Sequence, residues 1–387
     1  MKMSQLATKE LLGQVRRRYI KAGRRYKTKL LDEFCENTGY SRKHACKLLN
    51  GSLPKRKARR GRKKVYDDKV KHVLKEVWMA SDQLCSKLLK PVMTDYLRSY
   101  ERKHGELNQE LKSKMTSISP ATMDRLLSSE RVETSLWRKR RLYNPVREKT
   151  PVRCEQWDVQ KAGWIEADTV AHCGGSMAGS FVWTLTCTDI RTGWTECRSV
   201  WNKGGFNVKE RFREIEATLP FALLGVDTDN GSEFLNYHLN DYLCKREVPV
   251  QVTRSRPYHK NDNAHVEQKN FTHVRRLLGY DRFEIPEMVE LINALYCEAW
   301  VDYKNFFAPT FRLESKMQIG GKYIKRYEQP QTPYQRLITD SAVSKKTKKE
   351  LKKRYESLDP FSLKEDIERR LKDIFELDQQ PVAGRES

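Results

Sequence analysis

The sequence predicts an α/β core, a mixed five-stranded sheet with flanking helices, preceded by all-α modules. Three observations carry this. Charge is segregated: residues 1–150 hold 39 Lys+Arg against 16 Asp+Glu, while residues 151–387 hold 36 against 35. Apolar spacing is helical up to about residue 129 and alternates from residue 163. From there the segments run strand, strand, strand, helix, strand, helix, strand, helix. A basic arm on a near-neutral body points to nucleic acid held by the first part and a different task for the second. A merely solubilising surface would mix the two signs.

Bulk composition excludes several classes. Only 38% of the 387 residues are hydrophobic, and no stretch approaches the roughly 18 apolar residues of a membrane span. The opening "MKMSQLATKELLG" has no apolar h-region, so no secretory signal is expected. The nine cysteines form no C-x-x-C pair, which argues against a disulfide framework and against a zinc ribbon. A reduced, cytoplasmic compartment is expected.

Residues 1–53 are expected to form a first DNA-binding module of three short helices. "ELLGQVRRRYIKA" and "KTKLLDEFCENTG" are the first two, with Gly39 as a C-cap. Ser41 caps "SRKHACKLLNG", where Ala45, Leu48 and Leu49 make the inner stripe. In a helix-turn-helix reading the third helix lies in the major groove. It would present Arg42, Lys43 and Lys47; an ordinary three-helix bundle is the plain alternative. Residues 54–66 are a basic linker, with eight basic residues in "KRKARRGRKK". Arg59, Arg60 and Arg62 suit either a minor-groove arm or a solvated linker. Residues 67–136 are expected to form a second helical DNA-binding module. Val70, Val73, Leu74 and Val77 share one side of its first helix, and Ser119 and Pro120 open its last, with Thr122 and Arg125 outward. A connector, 137–159, leads to the core at 160–305.

In the core, "GWIEADTVA" alternates as a strand. "SFVWTLTCTD" and "GWTECRSVW" make a hairpin around Ile190, Arg191 and Thr192. "NVKERFREIEATL" is an amphipathic helix, "FALLGVD" a buried strand, "SEFLNYHLNDYLCKRE" a helix and "PVQVT" a strand. "NDNAHVEQKNFTHVRRLLG" closes as a helix. A small post-core segment (306–341) and a basic helical tail (342–387) follow.

Strand ends in such a sheet converge, so carboxylates distant in sequence can meet. Asp168 lies near the end of the first strand, Asp229 follows the fourth, and Glu267 is on the last helix. Three such carboxylates can hold two divalent ions. Mg²⁺ prefers hard oxygen ligands, and paired ions activate the attacking oxygen and stabilise the leaving one in phosphodiester chemistry. Asp227 is the alternative to Asp229, with a solvated turn as its own plain reading. Asp189 reads as a turn residue and Glu233 as a helix cap or a solvent-facing group. Asn263 and Asn270 share Glu267's helix face, to touch DNA or orient the carboxylate. Lys260 and Lys269 suit phosphates or solvent. His172, His259 and His265 suit hydrogen bonding or DNA contact better than a catalytic role.

"TDNGSEF" followed by "SRPYHKNDNAHVEQKN", behind a strand ending in an aspartate, resembles the catalytic core of retroviral integrases and DDE transposases. The closer likeness is to bacterial insertion-sequence transposases with an integrase-type core. It covers residues 160–305 and extends to "KYIKRYEQPQTPYQRLI". It implies a ribonuclease H-like fold, and it implies Asp168, Asp229 and Glu267 as catalytic and metal-holding residues for two Mg²⁺ or Mn²⁺ ions. The second and third are separated by 37 residues, where the integrase pattern usually has 35. The N-terminal His/Cys zinc module of retroviral integrases has no counterpart. The resemblance further implies cleavage at insertion-sequence ends and strand transfer into target DNA. The partners would be terminal repeats and target DNA, and the protein would act as a homo-oligomer, at least a dimer, near the bacterial nucleoid. Two other classes stand beside it: a DNA-binding derivative without transposition, and a ribonuclease H-like nuclease. A strand-transfer product separates the first, and cleavage of an RNA–DNA hybrid identifies the second.

Overall fold

A computed structural model describes residues 5–51, 65–131, 159, 161–228, 231–234, 236–254, 264–319 and 322–379. The chain divides into two compact units, Met1–Val65 and Tyr66–Ser387.

The first unit packs α1 (Gln5–Lys21), α2 (Arg24–Thr38) and α3 (Arg42–Asn50) against one another. Their shared core is Leu12, Val15, Tyr19, Leu30, Leu31, Phe34, Ala45 and Leu49, with Leu48 packed at its margin. Burying side chains of this size contributes about 1.5–3 kcal/mol each. Gly39 ends α2 at φ 71°, a left-handed conformation that costs glycine little.

The second unit opens with α4 (Asp68–Ala80), α5 (Ser86–His104), α6 (Gln109–Ser117) and α7 (Pro120–Leu126). Asp67 caps α4 by accepting from Val70 N, and Ser119 caps α7 by accepting from Thr122 N. Then come β1 (Trp164–Ala171), β2 (Val182–Asp189), β3 (Thr195–Trp201), α8 (Gly205–Thr218), β4 (Gly225–Thr228), α9 (Tyr237–Cys244) and β5 (Gln251–Arg254). The sheet order is β3-β2-β1-β4-β5. β1, β2 and β3 pair antiparallel, while β1–β4 and β4–β5 are parallel. This is the mixed five-stranded sheet with flanking helices that the sequence predicts.

Two layers of helix cover the sheet. On one face Ile165, Ala167, Leu185 and Val226 pack with Val208, Phe212 and Ile215 of α8 and Leu239 and Leu243 of α9. The other face meets α10 (Ala264–Lys269), which runs through a π-helical stretch, Asn270–Arg275, into Arg276–Leu278. Beyond it lies α11 (Met288–Leu295), continuing through Tyr296–Trp300 to Val301–Phe307. A two-stranded ribbon, β6 (Leu313–Ile319) and β7 (Lys322–Tyr327), precedes α12 (Pro333–Thr339), α13 (Lys345–Ser357) and α14 (Pro360–Gln379).

The helices of residues 68–126 and the tail share one apolar core. Leu89, Tyr96, Trp300, Tyr303, Phe361, Ile367 and Ile374 belong to a single cluster. Asp82, at the α4–α5 turn, lies 3.6 Å from Arg276, 3.7 Å from Lys304 and 3.2 Å from Lys364, which ties α10, α11 and α14 to that turn. The stretch after β4 also differs from expectation. Residues 232–234 form a turn, and the helix starts at Tyr237 because the Asn236 side chain accepts from Leu239 N at 3.0 Å.

Candidate active site

Alternation along β1 places Glu166, Asp168 and Val170 on the face opposite Ile165 and Ala167. That face meets α10. Asp168 stands in register with Thr186 of β2, and Glu166 stands in register with Asp227 of β4. Two carboxylates therefore flank the β1–β4 seam, both buried.

Three hydrogen bonds lay the helix along the strand. Val266 N donates to Glu166 Oε2 at 2.9 Å. Asn270 Nδ2 donates to Asp168 Oδ2 at 2.6 Å. Arg275 donates to the Ala171 carbonyl at 2.8 Å. Glu267 lies between the first two fastenings, exposed at its rim. Thr169 N donates to the other Asp168 oxygen at 2.7 Å.

Burial pushes the Glu166 carboxyl up to about 8; the Val266 N–H opposes this, and the negative charges of Asp227 and Glu267 add to it. Glu166 Oε1 has no hydrogen-bond partner among the described residues. Asp227 accepts from Thr253 Oγ1 at 2.7 Å and is buried in the sheet, not solvating a turn. Glu233 is buried as well. It accepts from Thr169 Oγ1 at 3.0 Å and from Lys203 Nζ at 3.3 Å, tying the loop after β4 to the residue beside Asp168. Sequence reasoning passed over Glu166, and Glu233, expected to cap a helix or face solvent, is buried ahead of a helix that Asn236 caps. The i, i+2 spacing of Glu166 and Asp168 on a strand was the available signal.

The expected residues divide as follows. Asp168 lies on β1 under the helix that bears Glu267, and Asn270 of that helix's continuation donates to Asp168. Asp229, His259, Lys260, Asn263, Arg59, Arg60 and Arg62 lie outside the described residues. Lys269 departs from both roles expected of it, phosphate contact and solvent exposure. It is only 7% exposed, because two helical steps from Glu267 turn it about 200° round, onto the sheet. Burial pushes its ammonium down to about 7, with Arg336 and Lys304 adding to the effect. Arg42, Lys43 and Lys47 are exposed on α3, Arg42 in an ion pair with Asp32. On α7 the exposed Arg125 donates to Thr122 Oγ1 at 2.9 Å. Asp189 is a buried turn residue that accepts from Gly163 N and from Thr192. His172 bonds Thr184 Oγ1 at 2.9 Å.

Among the described residues no three His, Cys, Asp or Glu side chains form a ready metal-ligand group. The donors at hand are all hard oxygens: the Asp168 and Glu267 carboxylates and the buried Asn270 Oδ1, which has no partner among the described residues. That set fits a Mg²⁺-type ion better than a soft one.

No protein-family model matches the chain. The chain is 41% identical over 340 residues to the uncharacterized protein y4rM of Sinorhizobium fredii (strain NBRC 101917 / NGR234), a match covering 87% of this chain and 96% of that protein. Among solved structures, the catalytic core domain of BIV integrase matches 45% of this chain and 91% of its own, at 16% identity and a TM-score of 0.29. Among the described residues no helix is long and apolar enough to cross a membrane.

Proposed function

We propose that this chain, which belongs to the family of the Sinorhizobium fredii protein y4rM, is a DDE-type transposase that cleaves DNA at insertion-sequence ends and joins those ends to target DNA. The observation that carries the reading is the fastening of α10 to β1. Bonds from Val266 to Glu166 and from Asn270 to Asp168 fasten the helix that bears Glu267 to β1, the central strand of the mixed sheet. The "TDNGSEF" motif supplies Asp229 directly after β4, the strand parallel to β1.

Asp168, Asp229 and Glu267 would hold two Mg²⁺ or Mn²⁺ ions. When bound, such ions supply Lewis acidity to the attacking and leaving oxygens of a phosphodiester. The chain's own groups do the positioning. Asn270 sets the Asp168 carboxylate, the Glu166–Val266 bond sets the helix that bears Glu267, and Glu233 with Thr169 ties residues 231–234 to β1. The reaction has two parts: water opens a phosphodiester at the element end and frees a 3′ hydroxyl, and that hydroxyl displaces an oxygen of a target phosphodiester. One P–O bond forms as another breaks in each part, so no nucleotide cofactor is required.

DNA is the macromolecular partner. Exposed Arg42, Lys43 and Lys47 on α3, and Thr122 and Arg125 on α7, are offered as its contacts, together with Arg59, Arg60, Arg62, Lys260 and Asn263. Pairing two ends requires at least a dimer on DNA. The test is incubation of the purified chain with duplexes carrying the ends of its own element and a target plasmid, with and without Mg²⁺. Metal-dependent nicking and end-to-plasmid joining are expected. End-specific binding with no strand breakage under either metal would overturn the reading in favour of a DNA-binding derivative.

A further inference from the structure

We infer that the β6–β7 ribbon is a DNA-docking arm that enters a groove of the duplex, an inference that rests on the DNA-processing reading above. The ribbon is an antiparallel pair with one irregularity between Leu313 and Ser315; Met317 is in register with Ile324 and Leu313 with Tyr327. A two-stranded ribbon is marginal in water unless it packs on something. Here its base is held, and among the described side chains Met317 and residues 324–327 are exposed. At the base, Thr310 N donates to the Gln331 carbonyl at 2.9 Å, and Glu328 N donates to the Arg312 carbonyl at 2.9 Å. The buried Arg336 donates to Thr310 Oγ1 and to the Thr310 carbonyl, both at 2.8 Å, so the ribbon's root is fastened to the second unit's body.

Large apolar side chains at the root and along the ribbon face solvent, the Phe311 and Tyr327 rings meeting edge-on with centroids 5.9 Å apart. Phe311 is 42% exposed, Met317 46%, Ile324 45% and Tyr327 52%. Strand alternation puts Ile324 and Arg326 on one face, with Lys325 and Tyr327 on the other. Each face thus pairs an apolar group with a cation. Scattered exposed hydrophobics need no explanation, but a protruding ribbon with apolar groups on both faces needs a cover.

Charge decides what the cover is. The two strands carry four basic residues and one acidic residue. A second copy of the same ribbon would bring like charge against like charge. A DNA duplex brings the opposite sign. A two-stranded β-ribbon fits the major groove, which is about 12 Å wide. There cations on both faces reach the phosphate walls, and apolar groups meet thymine methyls and sugars.

The experiment uses the full chain and a generic duplex, read by fluorescence anisotropy across a salt series. Replacing both Lys325 and Arg326 by Gln is expected to weaken binding several-fold. It should also make the salt slope shallower by about two, roughly one phosphate contact per cation. A merely structural role would leave the slope unchanged. A photo-crosslinker placed at Ile324 is expected to capture DNA. Unchanged affinity and slope in the double variant would overturn the inference and leave the transposase reading standing. So would a crosslink to a second copy of the chain. A wild-type chain that binds no duplex at all would overturn both.

Discussion

Asn270 donates to Asp168 across the seam between α10 and β1, at 2.6 Å. The bond joins a strand carboxylate to a helix that also bears Glu267. In the proposed site it is the bond that links the strand of one acid to the helix of another roughly a hundred residues on. Asn270→Ala is expected to lower Mg²⁺-dependent strand breakage about 10–100-fold, the usual cost of losing a group that orients a ligand. Most of the loss should be recovered at high Mg²⁺, with duplex binding unchanged. Rates measured across a Mg²⁺ titration check this.

Glu166 is the other fastening. Glu166→Ala leaves the Val266 N–H without its acceptor in a buried place. A lost buried partner of this kind costs about 1–3 kcal/mol. Glu166→Gln keeps an acceptor oxygen and should stay near wild-type stability. Urea unfolding of the two variants, side by side, distinguishes a backbone-holding role from a need for charge.

His172 connects the fold to pH. Burial pushes its imidazole down to about 3, with Arg275 adding to the effect. The unfolded chain takes up a proton near the ordinary histidine value of 6.5, and the folded chain does not until far lower. The stability that rests on the neutral ring is therefore present above pH 6.5 and is lost as pH falls from there toward 3. His172→Gln should flatten that limb. Thermal unfolding at a series of acidic pH values measures it.

Gly225 marks where the two acid-bearing strands meet. It is in register with Trp164, and a Cβ at this position would lie 2.3 Å from the indole ring. Gly225→Ala is expected to destabilise the second unit by about 1–3 kcal/mol, as overpacking in a closed place does. Calorimetry of the variant, with activity assayed well below its transition, separates loss of fold from loss of chemistry.

Much of this architecture was legible from local rules. Alternation in 164–171 and 182–189 announced strands, and Gly39, Ser119 and Pro120 announced helix ends, because these signals are short-range. The helices of residues 68–126 read as a separate module, yet Tyr96 and Phe361 share a core. Apolar stripes show that a helix face is buried but not against what. Lys269 read as a phosphate contact by its charge, and only the helix phase against the sheet turns it inward. Glu166 was missed because a single glutamate in a strand ordinarily faces water; the cover that buries it is α10, about a hundred residues on. The basic composition of the tail hid the apolar positions Phe361, Leu363, Ile367 and Ile374 that bind it to the core.

The central claim is that one metal-dependent site, built on Asp168, Asp229 and Glu267, breaks and joins DNA. The most direct measurement is strand transfer of element ends in Mg²⁺ by the wild type and by Asp168→Asn, Asp229→Asn and Glu267→Gln, with duplex binding measured on the same samples. The account predicts joined product from the wild type, none from any of the three variants, and undiminished binding in all four. Joined product from any variant at the wild-type rate would contradict it.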